Sequence, residues 1–179
     1  MENKRPFHKG VYLLPNLLTT ASLFMGFLGM LWCVNGRLEH AALAVFASLI
    51  LDGMDGKVAR MTNTQSDFGV QLDSLCDLVA FGVAPAFLMF TWQLEYFGRL
   101  GVMIAFLFMA CGALRLARFN VQAATGGKKH FVGLPIPAAA TTLVSFLLFQ
   151  PYLPEVLVPY LPQITLFMTM TLAILMVSR

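Results

Sequence analysis

LDGMDGKVARMTNTQSDFGVQLDSLCDLVAFG, residues 51–82, holds five of the nine acidic residues of a 179-residue chain that is 58% hydrophobic. An unpaired carboxylate in apolar surroundings is costly and ordinarily takes up a proton, a positive partner or a metal ion. Read as helix, Asp52 and Asp55 are three residues apart and Asp73 and Asp77 four apart, so each pair projects from one face of its own helix. The polar turn TNTQS makes these two helices consecutive and antiparallel. Carboxylates then converge from two facing helices, as metal ligands do in helical bundles. Asp67, in the turn, is expected to be a helix N-cap or a solvated charge.

Magnitudes favour a metal over mere tolerance of the cluster. Two like charges about 4 Å apart repel by roughly 4 kcal/mol at an effective dielectric of about 20, and each further carboxylate multiplies such terms. Divalent cations cancel the charge outright. An all-oxygen ligand set suits Mg²⁺, Mn²⁺ or Ca²⁺ rather than zinc or copper, and paired carboxylate-bridged ions are suited to phosphoryl transfer. Gly56 and Gly69 leave room beside the acids for a phosphate ester, although glycines in membrane helices also serve close packing. Arg60, one turn beyond Gly56, offers a fork for phosphate oxygens. The DGMDG piece is not a calcium-binding EF-hand loop, because Met54 and Lys57 stand where oxygen ligands are needed. A membrane cation pathway lined by these acids is the alternative of another class. Aspartate-rich membrane prenyltransferases also bind diphosphate through magnesium, but acids on adjacent helices flanking GKVAR are not their pattern.

Outward from this stretch the chain reads as an integral membrane protein, with 12% charged residues and a mean hydropathy of +0.74. Apolar runs fall at Tyr12–Val34, Ala41–Leu51, Phe68–Thr91, Gly101–Leu116, Pro135–Phe149 and Tyr160–Val177. A spanning helix needs about 20 residues. The expected fold is therefore all-α, a bundle of six transmembrane helices in a single domain over residues 1–179, with residues 1–11 as a juxtamembrane head. Lys4, Arg5, Lys9, Lys57, Arg60, Arg115, Arg118, Lys128, Lys129 and Arg179 then lie at one membrane face, against Arg37 and Arg99 at the other. That bias puts both termini and the acidic cluster on the cytoplasmic side. The basic head MENKRPFHK lacks the cleavage site of a signal peptide and reads as a topological anchor. Cys33, Cys76 and Cys111 have no CxxC spacing, and His8, His40 and His130 form no metal-ligand pattern. No nucleic-acid partner is expected; the bilayer is.

With those residues in view, Asp52, Asp55, Gly56, Ala59, Arg60, Gly69, Asp73 and Asp77 match the signature D-x2-D-G-x2-A-R-x8-G-x3-D-x3-D in full, and the chain resembles the CDP-alcohol phosphatidyltransferase family. The resemblance implies a six-helix membrane fold, usually homodimeric, that replaces the CMP of a CDP-linked lipid with an alcohol. It further implies that Asp52, Asp55, Asp73 and Asp77 hold two divalent ions, Mg²⁺ or Mn²⁺ with Ca²⁺ as a possible bound ion, and that Asp77 is also the general base. Gly56, Arg60, Ser66, Gly69 and Asn16 would contact the CDP-lipid.

LLPNLLTTASLFMGF, ALRLARFN and GLPIPAAA are similar to segments of bacterial membrane-embedded phosphatidylserine synthases, so that the resemblance runs from about Tyr12 to Ala140. It implies CDP-diacylglycerol and L-serine as substrates, with phosphatidylserine and CMP as products. Members of this type commonly continue past the sixth helix, so the resemblance also implies a truncation after Arg179. A serine carboxylate calls for a fixed cation, which Arg118 or Arg115 would supply with Asn120 beside them, although basic residues at that helix end also serve topology and lipid contact. Glycerol phosphate or inositol phosphate is the alternative acceptor.

Overall fold

The structure is a computed structural model that describes residues 13–61, 66–124 and 133–178. Among these residues it is helical without strands, and seven α-helices form six rods: α1 (Leu13–Val34), α2 (Leu38–Met61), α3 (Asp67–Asp77) continuing into α4 (Ala84–Trp92), α5 (Arg99–Ala124), α6 (Ile136–Phe149) and α7 (Leu161–Val177). Four are long and apolar enough to cross a membrane: Pro15–Val34, Phe68–Trp92, Arg99–Gln122 and Glu155–Val177. The other two rods fall short of that standard for different reasons. α2 has 24 residues but carries Asp52, Asp55, Lys57 and Arg60 in its second half, and the apolar helix Ile136–Tyr152 is short.

The turn from α1 to α2 is set by Gly36, whose φ of +69° places it in the left-handed region. Its N–H bonds Cys33 O at 3.0 Å and the Arg37 N–H bonds Trp32 O at 2.8 Å. These paired bonds are a Schellman motif, which satisfies carbonyls left over at the helix end and reverses the chain within three residues.

α1 lies tightly against α2 because its inward face is made of small side chains. Among its described side chains, Pro15, Thr19, Ser22, Gly26, Gly29 and Cys33 are the buried ones, spaced by three and four. Lipid tails are as apolar as leucine, so helices in a bilayer associate through such close approach and through hydrogen bonds rather than through a hydrophobic drive. Both devices are present. A Cβ on Gly26 would lie 2.8 Å from Ala80 Cα, so the α1 backbone rides directly over the third rod. Ser22 Oγ donates to Ser48 O at 3.2 Å and Ser48 Oγ returns the bond to Ser22 O at 2.8 Å, which pins α1 to α2 in register.

Between α3 and α4 the rod widens into a π-helical segment, Leu78–Val83, in which the Ala84 N–H reaches back to Val79 O. Pro85 follows immediately; it has no N–H to give and its ring crowds the preceding turn, and widened turns relieve that conflict. Phe81, Leu88, Met89, Phe108, Ile136, Leu143, Val144 and Met176 are fully buried and form the core where this rod meets α5, α6 and α7. The approach to α6 is fastened to α7 by the bond from Leu134 N–H to Leu175 O at 3.0 Å.

Candidate active site

Helix α2 remains regular past its apolar stretch, so Asp52 and Asp55 stay on adjoining positions of one helical side. The next helix begins at Ser66, whose backbone is extended (φ −127°, ψ 151°) and whose Oγ accepts the Gly69 N–H at 3.0 Å. This corrects one expectation: the N-cap is Ser66, and Asp67 is the first residue of α3. A serine hydroxyl reaches the third N–H from that extended position. From this start Asp73 and Asp77 come one turn apart, the latter at the last residue before the widened turn.

The two helices bring the acids together. Asp52, Asp55 and Asp73 each offer an oxygen, and these ligand atoms lie within 4.8 Å of one another. Asp77 is in hydrogen-bonding contact with Asp52. Asp55 is the most enclosed of the four, 5% exposed, whereas the others are half-buried. Carboxyl groups this close need something positive between them. An all-oxygen donor set at this spacing fits hard divalent cations and would be a poor nest for zinc or copper.

Two groups outside the signature address the acids. Thr19 Oγ1 on α1 donates to Asp55 Oδ2 at 2.6 Å, in the buried interior. Arg115 on α5 is half-buried, and the charge of Asp77 acts on it through space. Thr19 was not among the residues expected from sequence, although a polar residue one turn after Asn16 in an apolar span needs a partner, and that is a usable signal.

The expected CDP-lipid contacts partly gather beside this cluster. A Cβ on Gly69 would lie 3.2 Å from Ser66 Oγ and 3.7 Å from Asn16 Oδ1, so Asn16, Ser66 and Gly69 surround one small space. Gly56 is half-buried on α2 next to Asp55. The side chain of Arg60, like Lys128 and Lys129, lies outside what is described. The expected acceptor residues separate. Asn120 Nδ2 donates to Ser74 Oγ at 3.0 Å, tying α5 to α3 beside Asp73. Arg118 is exposed and its Nη1 donates to Val177 O at 3.3 Å, at the end of α7. Arg115, half-buried, is the member of the trio on whose charge one of the acids, Asp77, acts.

A helical bundle with paired aspartates on consecutive helices defines a class, and sequence comparison agrees with it. The chain belongs to the CDP-alcohol phosphatidyltransferase family, whose model matches residues 12–177. Among curated relatives, it is 48% identical over 134 residues to a CDP-diacylglycerol–serine O-phosphatidyltransferase of Helicobacter pylori, covering 75% of this chain and 56% of the relative. It is 42% identical over 137 residues to an archaetidylserine synthase of Methanothermobacter thermautotrophicus, covering 75% and 58%. Against a CDP-diacylglycerol–serine O-phosphatidyltransferase of Bacillus subtilis it is 36% identical over 131 residues, covering 73% of each. The chain thus spans little more than half the length of the Helicobacter and Methanothermobacter proteins.

Proposed function

We propose that the protein transfers the phosphatidyl group of CDP-diacylglycerol to the hydroxyl of L-serine, giving phosphatidylserine and CMP. The observation that carries this reading is the convergence of Asp52, Asp55 and Asp73 with Asp77 against Asp52, in a chain of this family. Asp52, Asp55, Asp73 and Asp77 would hold two Mg²⁺ or Mn²⁺ ions. When bound, such ions neutralise the diphosphate and the carboxylates and make CMP a better leaving group.

The chain's own residues do the rest. Asn16, Ser66 and Gly69, with Gly56 and Arg60 on the facing helix, receive the CDP end of the lipid in the space beside the acids. Asp77 accepts the serine hydroxyl proton, since a carboxylate at the edge of the cluster is within reach of an incoming alcohol. The serine oxygen forms a bond to the β-phosphorus while the bond from that phosphorus to the oxygen of CMP breaks, and both electrons leave with CMP. Among the described residues the cysteines Cys33, Cys76 and Cys111 are all buried and His40 stands at the opposite end of α2 from the acids, which favours a single displacement without a covalent enzyme intermediate. Arg115, beside Asp77, is the cation best disposed to meet the serine carboxylate.

Serine is preferred over a phosphorylated alcohol because two named relatives are serine transferases and because Arg118 is engaged at Val177. The archaetidylserine synthase relative supports a second reading of the donor alone, a CDP-linked ether lipid. All six rods would cross the inner membrane, as part of a homodimer, with both termini and the acids on the cytoplasmic side, where CDP-lipid and serine are met.

The test is release of CMP from CDP-diacylglycerol by the purified protein with Mg²⁺ or Mn²⁺, compared across serine, glycerol phosphate and inositol phosphate, and repeated with CDP-archaeol. Serine-dependent release is expected. Silence with every acceptor would overturn the enzyme reading in favour of a cation pathway.

A further inference from the structure

We propose that Thr19 is a positioning residue for metal binding: its hydroxyl holds Asp55 in the orientation from which that carboxylate meets a divalent cation together with Asp52 and Asp73. This rests on the reading of the aspartates given above.

The argument begins with one proton. Thr19 Oγ1 is 2.6 Å from Asp55 Oδ2 and 3.1 Å from Pro15 O, and a hydroxyl donates only once. Bonds from a hydroxyl to an ionised carboxylate run at about 2.5–2.7 Å and are roughly twice as strong as neutral ones, so the proton belongs to Asp55. Both partners are shut away from solvent, Thr19 at 6% and Asp55 at 5% exposure. With Oδ2 engaged, the carboxylate cannot swing about its χ2 axis without breaking a buried bond, and its other oxygen is left for a cation.

A purely architectural role fits Thr19 less well than it fits its neighbours. The joint between α1 and α2 is already pinned one turn further on by the reciprocal bonds of Ser22 and Ser48, which end on backbone carbonyls and need no acid. Thr20, the next residue, bonds back to Asn16 O at 2.7 Å within its own helix. Thr19 alone among these hydroxyls terminates on a carboxylate of the acidic cluster. The small residues that line the rest of the α1 face bring it close enough to do so.

Partners that orient metal ligands are worth roughly 10- to 100-fold in metal affinity. The experiment is Mn²⁺ binding, read by electron paramagnetic resonance on the purified full chain in detergent, with neither CDP-lipid nor serine present. Thr19→Val keeps the shape and removes the donor, Thr19→Ser restores it, and Thr20→Val is the control. Expected are a Kd for Mn²⁺ raised about tenfold or more in Thr19→Val, near-native binding in Thr19→Ser, and no change in Thr20→Val. In turnover, Thr19→Val should need more metal for half-maximal activity yet recover most of kcat at saturating metal. Should Thr19→Val not yield monodisperse protein, Thr19→Ala reads the same quantity. Native Mn²⁺ affinity in either donor-free variant, or an equal loss in Thr19→Ser, would overturn the proposal. Failure of the native protein itself to bind Mn²⁺ would instead overturn the metal reading on which the proposal rests.

Discussion

Thr19 on α1 and Asp55 on α2, 36 residues apart in the chain, meet side chain to side chain at 2.6 Å in the buried interior. The contact makes α1 part of the site although it contributes no acid. It also ties the close packing of α1 to the placement of an acid in the cluster, and the consequences are measurable.

Replacing Asp52, Asp55 or Asp73 by alanine should reduce CMP release to background while the protein stays in the membrane, and EDTA should do the same reversibly. Asp77→Asn, which keeps the shape but cannot take a proton, should lower kcat by about 10²- to 10⁴-fold, the usual worth of a positioned general base. Full activity in EDTA would sink the metal assignment.

Gly26→Ala should be destabilising out of proportion to one methyl group. The added Cβ would stand 2.8 Å from Ala80 Cα, where the obstacle is backbone and cannot rotate away. A cost of about 1–3 kcal/mol is expected, as for overpacking in general. Gly29→Ala, whose nearest neighbour would be Ala41 O at 3.4 Å, should cost less. Thermal melting in detergent would rank the two, and the reverse order would count against the packing account.

Ser22→Ala and Ser48→Ala should each cost a little stability, and in a double-mutant cycle their losses should nearly add, because each substitution leaves the other bond's backbone acceptor in place. Their reciprocal bonds end on carbonyls inside helices, where the hydroxyls add to existing pairing. Hydrogen bonds between membrane helices average about 0.6 kcal/mol by this method. A strong coupling between the two losses would mean that the bonds form only together.

Arg115→Ala should raise KM for serine more than Arg118→Ala does. Arg115 interacts with Asp77, whereas Arg118 is bonded to Val177 O at the end of α7, so its loss should appear in melting temperature first. Steady-state kinetics with both variants would decide; an equal or larger effect of Arg118→Ala on KM would move the serine site toward α7.

Much of the architecture was legible because hydropathy and charge spacing are local. The first helix was expected at Tyr12–Val34 and is found at Leu13–Val34. The second was expected to be apolar only over Ala41–Leu51, and its helix runs to Met61 because charged side chains interrupt hydropathy without interrupting backbone hydrogen bonding. The aspartates were recognisable from fixed offsets, and three of them do converge. Less legible were features created by pairing across distance. Thr19 finds Asp55 and Ser22 finds Ser48 only once the helices cross, and no periodicity encodes that crossing. The widened turn before Pro85 was hidden for the opposite reason: its residues are apolar throughout, so hydropathy reads the rod as uniform. Asp67 and Ser66 compete for the same cap by composition, and only the backbone angles at Ser66 decide.

The cluster also has a history during synthesis. Chains emerge from the N-terminus and their early segments can pair before later ones exist. Thr19 and the small-residue face of α1 are therefore already in place when α2 delivers Asp52 and Asp55, while the guanidinium of Arg115 arrives 38 residues after Asp77. For that interval four carboxyl groups must enter the bilayer's edge with a hydroxyl, but without their arginine. Protons or captured cations can fill the gap, so on the metal reading proposed above the newborn hairpin should close more readily where divalent cations are at hand.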